Sequence, residues 1–269
     1  IKLRNRLDQV LASKKKASVV VVGGGYSGIE LACNLKDNYG DKVAVSLVHR
    51  GDRVMEVAEG HSRDTGVRRM ASMGVKAMMR TGVDKVGSDF VTLKDAAGET
   101  RDESCDIVVW TAGVRASEQA RGLGFSTTEE GKIKVTPRMR VVGEEGVYAL
   151  GDIAECDDVL SDRTVATAQA ALQQADAVAW NIHAAYTGGV PVNFRYHALG
   201  EMLSLGRAAA SLASPLFGLS QKGRAAHLLR RATYLIRMPT SRHRNKVGQS
   251  WAQRLPAELI REAVGSVGQ

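Results

Sequence analysis

A chain of 269 residues, 44% hydrophobic, 5% aromatic and with 28 glycines, has the make-up of an ordinary globular protein with many tight turns. It is long enough for one large domain or two modest ones. A net charge of +8 suits an anionic partner, whether phosphorylated cofactor, acidic membrane surface or nucleic acid, without choosing among them. Cys33, Cys105 and Cys156 are far apart and form no CxxC pair, which argues against a disulfide scaffold, a zinc site or a redox-active dithiol and fits a reducing compartment.

No apolar run approaches the ~20 residues that span a bilayer, and no signal peptide is visible. The chain begins at Ile1 inside a charged helical pattern. It reads as a piece of something longer, with any targeting sequence in the missing part.

Taken in order, residues 2–13 predict a helix with Leu3, Leu7, Val10 and Leu11 on one stripe, closed by Lys14, Lys15 and Lys16. Residues 18–22 form a short β-branched run, a buried strand. Residues 28–37 read as a helix and 42–49 as the next strand, completing a βαβ unit. A helix is expected over 61–73, then several short strands across 74–95. "CDIVVWTAG" (105–113) reads as another buried strand ending in a turn, and "GVYALGD" (146–152) as one more. Residues 164–186 form a long helix rich in Ala and Gln. From about Val192 the chain mixes short strands with basic amphipathic stretches. There is no internal repeat and no low-complexity segment.

"VVVVGGGYSGIELA" (19–32) carries the chemistry. Gly23, Gly25 and Gly28 fit G-x-G-x-x-G between a strand and a helix. The first permits the tight turn, the second lets backbone N–H groups approach a pyrophosphate, and the third lets helix and strand pack closely. The helix N-terminus adds positive potential. The plain alternative is a glycine-rich turn with no ligand. An NAD site carries an acid about 20 residues on, for the ribose hydroxyls. Here His49 and Arg50 stand at that place, with Arg53 close by, which tilts the reading toward NADPH over NADH. A solvated basic loop is the alternative. Glu30 reads as an early-helix acid favoured by the helix dipole. Gly151-Asp152 ends a strand, where Asp caps a helix or accepts from ligand hydroxyls.

The order of glycine turn, "DIVVWTAG" and "VYALGD" resembles the two-dinucleotide flavoprotein reductases, and within them the type II NAD(P)H:quinone oxidoreductases. The resemblance extends over nearly the whole chain. Its most specific stretches are "TAQAALQQAD" (167–176), "FRYHALGEMLSLGRAAA" (194–210) and "ATYLIRMPTSRHRNKVGQSW" (232–251). The last is similar to plastid-type members, which act on prenylquinones such as demethylphylloquinone and plastoquinone.

The resemblance implies an α/β fold with a Rossmann-like NAD(P)H domain (1–103) inserted in a split FAD domain, of which 104–190 is the C-terminal half. A C-terminal quinone and membrane segment (191–269) would follow. The FAD fingerprint would lie upstream of Ile1. Gly151 and Asp152 would bond flavin ribityl or phosphate groups. Thr111, Ala112 and Gly113 would lie along the dinucleotide path, and Glu30 near the nicotinamide. Ala168, Gln169, Gln173 and Gln174 would line the place where quinone meets flavin. The implied cofactors are FAD and NADPH (or NADH), with no metal. The implied partners are a prenylquinone, a peripheral membrane or lipid-droplet surface and a second copy in a homodimer. The implied location is the plastoglobule or thylakoid surface of a chloroplast, or a mitochondrion. As chemistry, a Gln amide can donate to a quinone carbonyl, while the redox work itself falls to the flavin.

Residues 224–237 place Ala225, Leu228, Leu229, Ala232, Leu235 and Ile236 on one stripe, with Arg224, His227, Arg231 and Arg237 largely elsewhere. Such a helix lies on an anionic membrane or covers a core with a solvated basic face. No aromatic platform accompanies the charge, so nucleic acid is not an expected partner. Two rival readings are a soluble reductase of a small redox protein and a non-enzymatic nucleotide-binding module.

Overall fold

The computed structural model describes residues 2–265 apart from 57, 59, 115, 117, 157–165, 208, 215–217 and 239. The chain divides into two compact units, one of Ile1–Ala112 with Leu199–Gln269, the other of Gly113–Ala198.

The first unit is built on α1 (Lys2–Ser13), β1 (Ala17–Val22), α2 (Tyr26–Tyr39), β2 (Val43–Val48), α3 (Gly60–Ser72) and β3 (Lys76–Met78), followed by β4 (Gly82–Val86), β5 (Phe90–Lys94), β6 (Thr100–Ser104) and β7 (Ile107–Trp110). A parallel sheet has the order β3-β2-β1-β7, with Val19 opposite Val45 and Val22 opposite both Val48 and Trp110. Both faces of β1 are covered, which is why it reads as an unbroken apolar run. Val19 and Val21 join Leu7, Ile29, Cys33 and Leu203 in one core cluster. Val20 and Val22 join Met78, Val91 and Leu93 in another, toward the antiparallel sheet β4-β5-β6. The stripe expected on α1 is inward-facing, with Leu7 and Val10 buried.

The returning segment adds β10 (Glu201–Ser204), β11 (Ala210–Ser214), β12 (Leu219–Lys222), α6 (Gly223–Ile236) and α7 (Ser241–Gly265). The three strands form an antiparallel sheet. α6 buries Ala226 and His227, while Leu228, Leu229 and Ile236 stay exposed. No helix among the described residues is long and apolar enough to cross a membrane.

The second unit holds α4 (Glu118–Gly122), the short parallel pair β8 (Ile133–Lys134) and β9 (Ala154–Glu155), and α5 (Ala168–Thr187). Ile133, Met139, Val141, Val178 and Phe194 form its core. α5 starts where the Thr167 hydroxyl accepts from Ala170 N–H, and stops at Gly188 with φ 69°. Residues 164 and 165 of the expected helix lie outside the described residues.

Two expectations need correction. "GVYALGD" is no regular strand: Tyr148 makes one antiparallel bridge, to Arg140, and Gly151–Ile153 is a 3₁₀ turn. A strand is defined by its ladder, and among the described residues this stretch finds a single rung. The strand in 105–113 is only half-buried, and its last residue, Trp110, is 55% exposed.

Candidate functional site

The glycine turn follows directly from β1. Gly23 has φ 115°, and a Cβ there would meet Thr111 Oγ1 at 2.8 Å and Ala112 N at 2.9 Å. A Cβ on Gly28 would lie 1.9 Å from the Gly23 carbonyl oxygen, so helix and turn touch at backbone distance. Gly25 differs: a Cβ there would meet nothing within 4 Å. It is the N-cap of α2 and brings no capping side chain to that helix. An open glycine at the N-terminus of a helix is the cradle a pyrophosphate needs. The Thr111 hydroxyl donates to Val22 O at 2.8 Å and so ties β7 to the turn. Beside it, Trp110 Nε1 donates to Ala112 O at 2.7 Å.

His49 sits at the end of β2, against the turn. Gly24 N–H donates to His49 Nδ1 at 3.2 Å. This bond seats the imidazole against the backbone of the turn. Its Nε2 is 3.7 Å from the Glu56 carboxylate. Arg50 is exposed and borders an open depression of about 740 Å³ with Asp52, Arg80 and Lys94. Arg80 is paired with Asp52 at 2.5 Å. Arg63 donates to the carbonyls of Met55, Glu56 and Ala58 and so pins the loop after β2. The structural roles of Glu56 and Arg63 have no sequence signal, because the loop geometry rests on Met55 at φ 52° with its side chain buried.

Glu30 is not a free acid. Its Oε1 accepts from Ser204 N–H at 2.7 Å, and one turn earlier the Tyr26 hydroxyl donates to Glu201. Asp37 continues the row, accepting from Arg207 N–H at 3.0 Å. One face of α2 therefore holds β10 and the residues after it. Spacing of three and four residues along α2 was the available signal, but the partners lie some 170 positions away.

In the second unit, Gly151, Asp152, Ala168, Gln169, Gln173 and Gln174 come together around the start of α5. Gln174, 3% exposed, accepts from Gly151 N–H at 2.7 Å through Oε1. Gln173 grips the backbone of His197 with both ends of its amide, each at 2.9 Å. Gln169 accepts from the Tyr196 hydroxyl at 2.8 Å. Ala168 and Asp152 are exposed. Gly151 has φ 77°, and Gly113, the first residue of this unit, has φ 76°. An exposed carboxylate beside a left-handed glycine can accept from the hydroxyls of a flavin dinucleotide. Among the described residues no cluster of ligands could hold a metal ion.

Cys33, Cys105 and Cys156 are all buried. Burial pushes the Cys33 thiol up to about 12 and raises that of Cys105 as well. At the far end of β1, burial raises the Asp106 carboxyl, but hydrogen bonds from Lys14 and Ser18 outweigh it and hold the group below the usual carboxylate range.

Residues 4–175 match the family described as "Pyridine nucleotide-disulphide oxidoreductase". The chain is 35% identical over 94% of its length to the demethylphylloquinone reductase NdbB of Synechocystis, covering 62% of that protein. It is 32% identical over 90% of its length to an alternative NAD(P)H-ubiquinone oxidoreductase of Arabidopsis thaliana named chloroplastic/mitochondrial, covering 50% of it. The chain thus spans half to three-fifths of these relatives. Among solved structures, NDH2 from Plasmodium falciparum in complex with NADH shares the fold, with a TM-score of 0.78 at 14% identity over 93% of this chain and 69% of that one. The chain belongs to the pyridine nucleotide-disulphide oxidoreductase family, and its relatives there include type II and alternative NAD(P)H:quinone oxidoreductases.

Proposed function

We propose that the protein carrying this chain passes electrons from NAD(P)H, through FAD, to a membrane prenylquinone of the plastoquinone, demethylphylloquinone or ubiquinone type. The observation that carries the reading is the run of 35% identity with a demethylphylloquinone reductase through both units, across both cofactor turns.

In this reading the Gly23–Gly28 turn and the start of α2 bind the NAD(P)H pyrophosphate, and Thr111 keeps the turn in place. Asp152 accepts from flavin hydroxyls. Bound FAD separates the two-electron chemistry of the nucleotide from that of the quinone. Gln174 positions Gly151, Gln173 and Gln169 hold the segment carrying Tyr196 and His197, and this amide-rich helix start borders the quinone. Glu30, anchored to β10, borders the nicotinamide. No carboxylate takes the place after β2 where His49 stands. His49 is engaged in supporting the turn, so recognition of a 2′-phosphate falls to Arg50, and NADPH is the favoured donor.

The exposed Leu228, Leu229 and Ile236 on a helix that also carries arginines support peripheral attachment to an anionic membrane. The name of the Arabidopsis relative supports an organellar membrane, in a chloroplast or mitochondrion. The test uses the full-length protein with prenylquinone in vesicles. It should purify yellow, oxidise NADPH only when quinone is present, and shift toward NADH on Arg50→Gln. A colourless protein that binds NADPH without turnover would leave a nucleotide-binding module as the answer.

A further inference from the structure

The second unit contains a cleft that neither cofactor turn uses. It holds about 360 Å³, room for about a dozen waters. Its walls carry Arg138, Arg140, Tyr148 and Thr136, and among the described residues no carboxylate lines it. Neither guanidinium has a hydrogen-bond or ion-pair partner among the described residues. The Thr136 hydroxyl oxygen is sealed from solvent and has no partner either. Arg140 and Tyr148 face each other across their antiparallel bridge.

The cleft is built rather than incidental. Asn181, 1% exposed, crosses beneath it. Its Nδ2 donates to Arg138 O on one wall and Val192 O on the other, both at 2.9 Å, and its Oδ1 accepts from Val192 N–H at 2.7 Å. Phe194 N–H donates to Pro137 O at 2.8 Å, joining the same walls again. Between the two arginines, Met139 is held at φ 63° with its side chain fully buried. A bulky residue in the left-handed region costs energy that the core contact offsets. The result is two adjacent cations in a concave, rigid wall, where the field is focused and little order has to be gained on binding.

We infer that this cleft is a binding site for a small phosphomonoester. Two forked guanidiniums match a phosphate bidentately, and the Tyr148 hydroxyl supplies a further donor. The cleft is roomier than a bare phosphate needs, so the organic portion of the ligand lies along the Tyr148 ring and Pro137. The phosphate could be carried by a soluble metabolite or by a lipid headgroup, and the test separates the two.

Calorimetry on the chain would titrate glycerol 3-phosphate, a probe with no adenine for the glycine turn, beside flotation with phosphatidylcholine vesicles with and without phosphatidic acid. Saturable binding of the soluble probe is expected, weakened about tenfold or more by the pair Arg138→Gln/Arg140→Gln, with NADPH binding unchanged as the control for folding. The milder Arg138→Lys/Arg140→Lys pair keeps charge without the fork and should lose part of the affinity. Flotation that needs phosphatidic acid and both arginines, without binding of the soluble probe, would assign the phosphate to a lipid. Binding of either probe that survives the glutamine pair, or the absence of both, would overturn the site.

Discussion

The three glycines of the turn should fail in different ways. A Cβ at Gly28 collides with backbone at 1.9 Å, and backbone cannot swing aside as a side chain can. Gly28→Ala must move α2 away from β1, an overpacking cost of about 1–3 kcal/mol or more. For a unit of this size that lowers Tm by about 3–10 °C. At Gly25 the new methyl group meets nothing within 4 Å, and φ is −78°, open to any residue. The structural cost of Gly25→Ala is then only that of a poorer N-cap, about 1 kcal/mol. Yet the methyl group points into the space a pyrophosphate must enter, so the NADPH Kd should rise about tenfold or more, the equivalent of one charge-assisted hydrogen bond. Thermal unfolding and calorimetry on the two variants separate the effects. If Gly25→Ala binds NADPH normally, or if both variants lose stability and binding in step, the turn is a packing device with no phosphate cradle.

Three further outcomes follow from the same contacts. Gln174→Leu leaves Gly151 N–H buried without its acceptor at a cost of about 1–3 kcal/mol, and in the full-length protein it should slow quinone reduction while sparing reduction by NADPH, which stopped flow resolves. Asp106→Asn should cost about 1–2 kcal/mol near neutral pH, because the carboxylate accepts from Ser18 N–H and Oγ at 2.8 and 3.0 Å. Since its folded pKa lies below the unfolded one, this stability is present above the ordinary carboxylate range and fades as pH falls through the folded value, so denaturant melts of the two proteins should converge in acid. Buried Cys33, Cys105 and Cys156 should resist alkylation in the folded chain and all react within minutes in denaturant, as counted by mass spectrometry.

The βαβ unit was legible because its signals are local. The Val19–Val22 run, the glycine spacing and the α1 stripe each lie within a dozen residues and need no distant partner. The helix expected over 28–37 is longer, Tyr26–Tyr39, because an open Gly25 lets it begin at the turn itself. What the sequence hid depends on pairing across the chain. Stretch 146–152 has the composition of a buried strand, yet a strand needs neighbours, and composition says nothing about who they are. Glu30 looks like a dipole-favoured acid, and only the fold reveals Ser204 N–H above it. His49 invites reading as a cation for a phosphate. Its hydrogen bond from Gly24 makes it a support of the turn, a role that depends on the close approach permitted by a glycine whose Cβ would lie 2.8 Å from the imidazole.

On the proposed reading, flavin bound to the full-length protein passes electrons from NADPH to a prenylquinone. Anaerobic stopped flow on the full-length protein tests it most directly, following flavin absorbance as NADPH is mixed in and then as prenylquinone vesicles are added. Bleaching by NADPH and full return of the oxidised spectrum with quinone, one quinone per flavin, are expected. A flavin that bleaches but is reoxidised only by a small redox protein, or a protein that binds NADPH and shows no flavin absorbance, would contradict it.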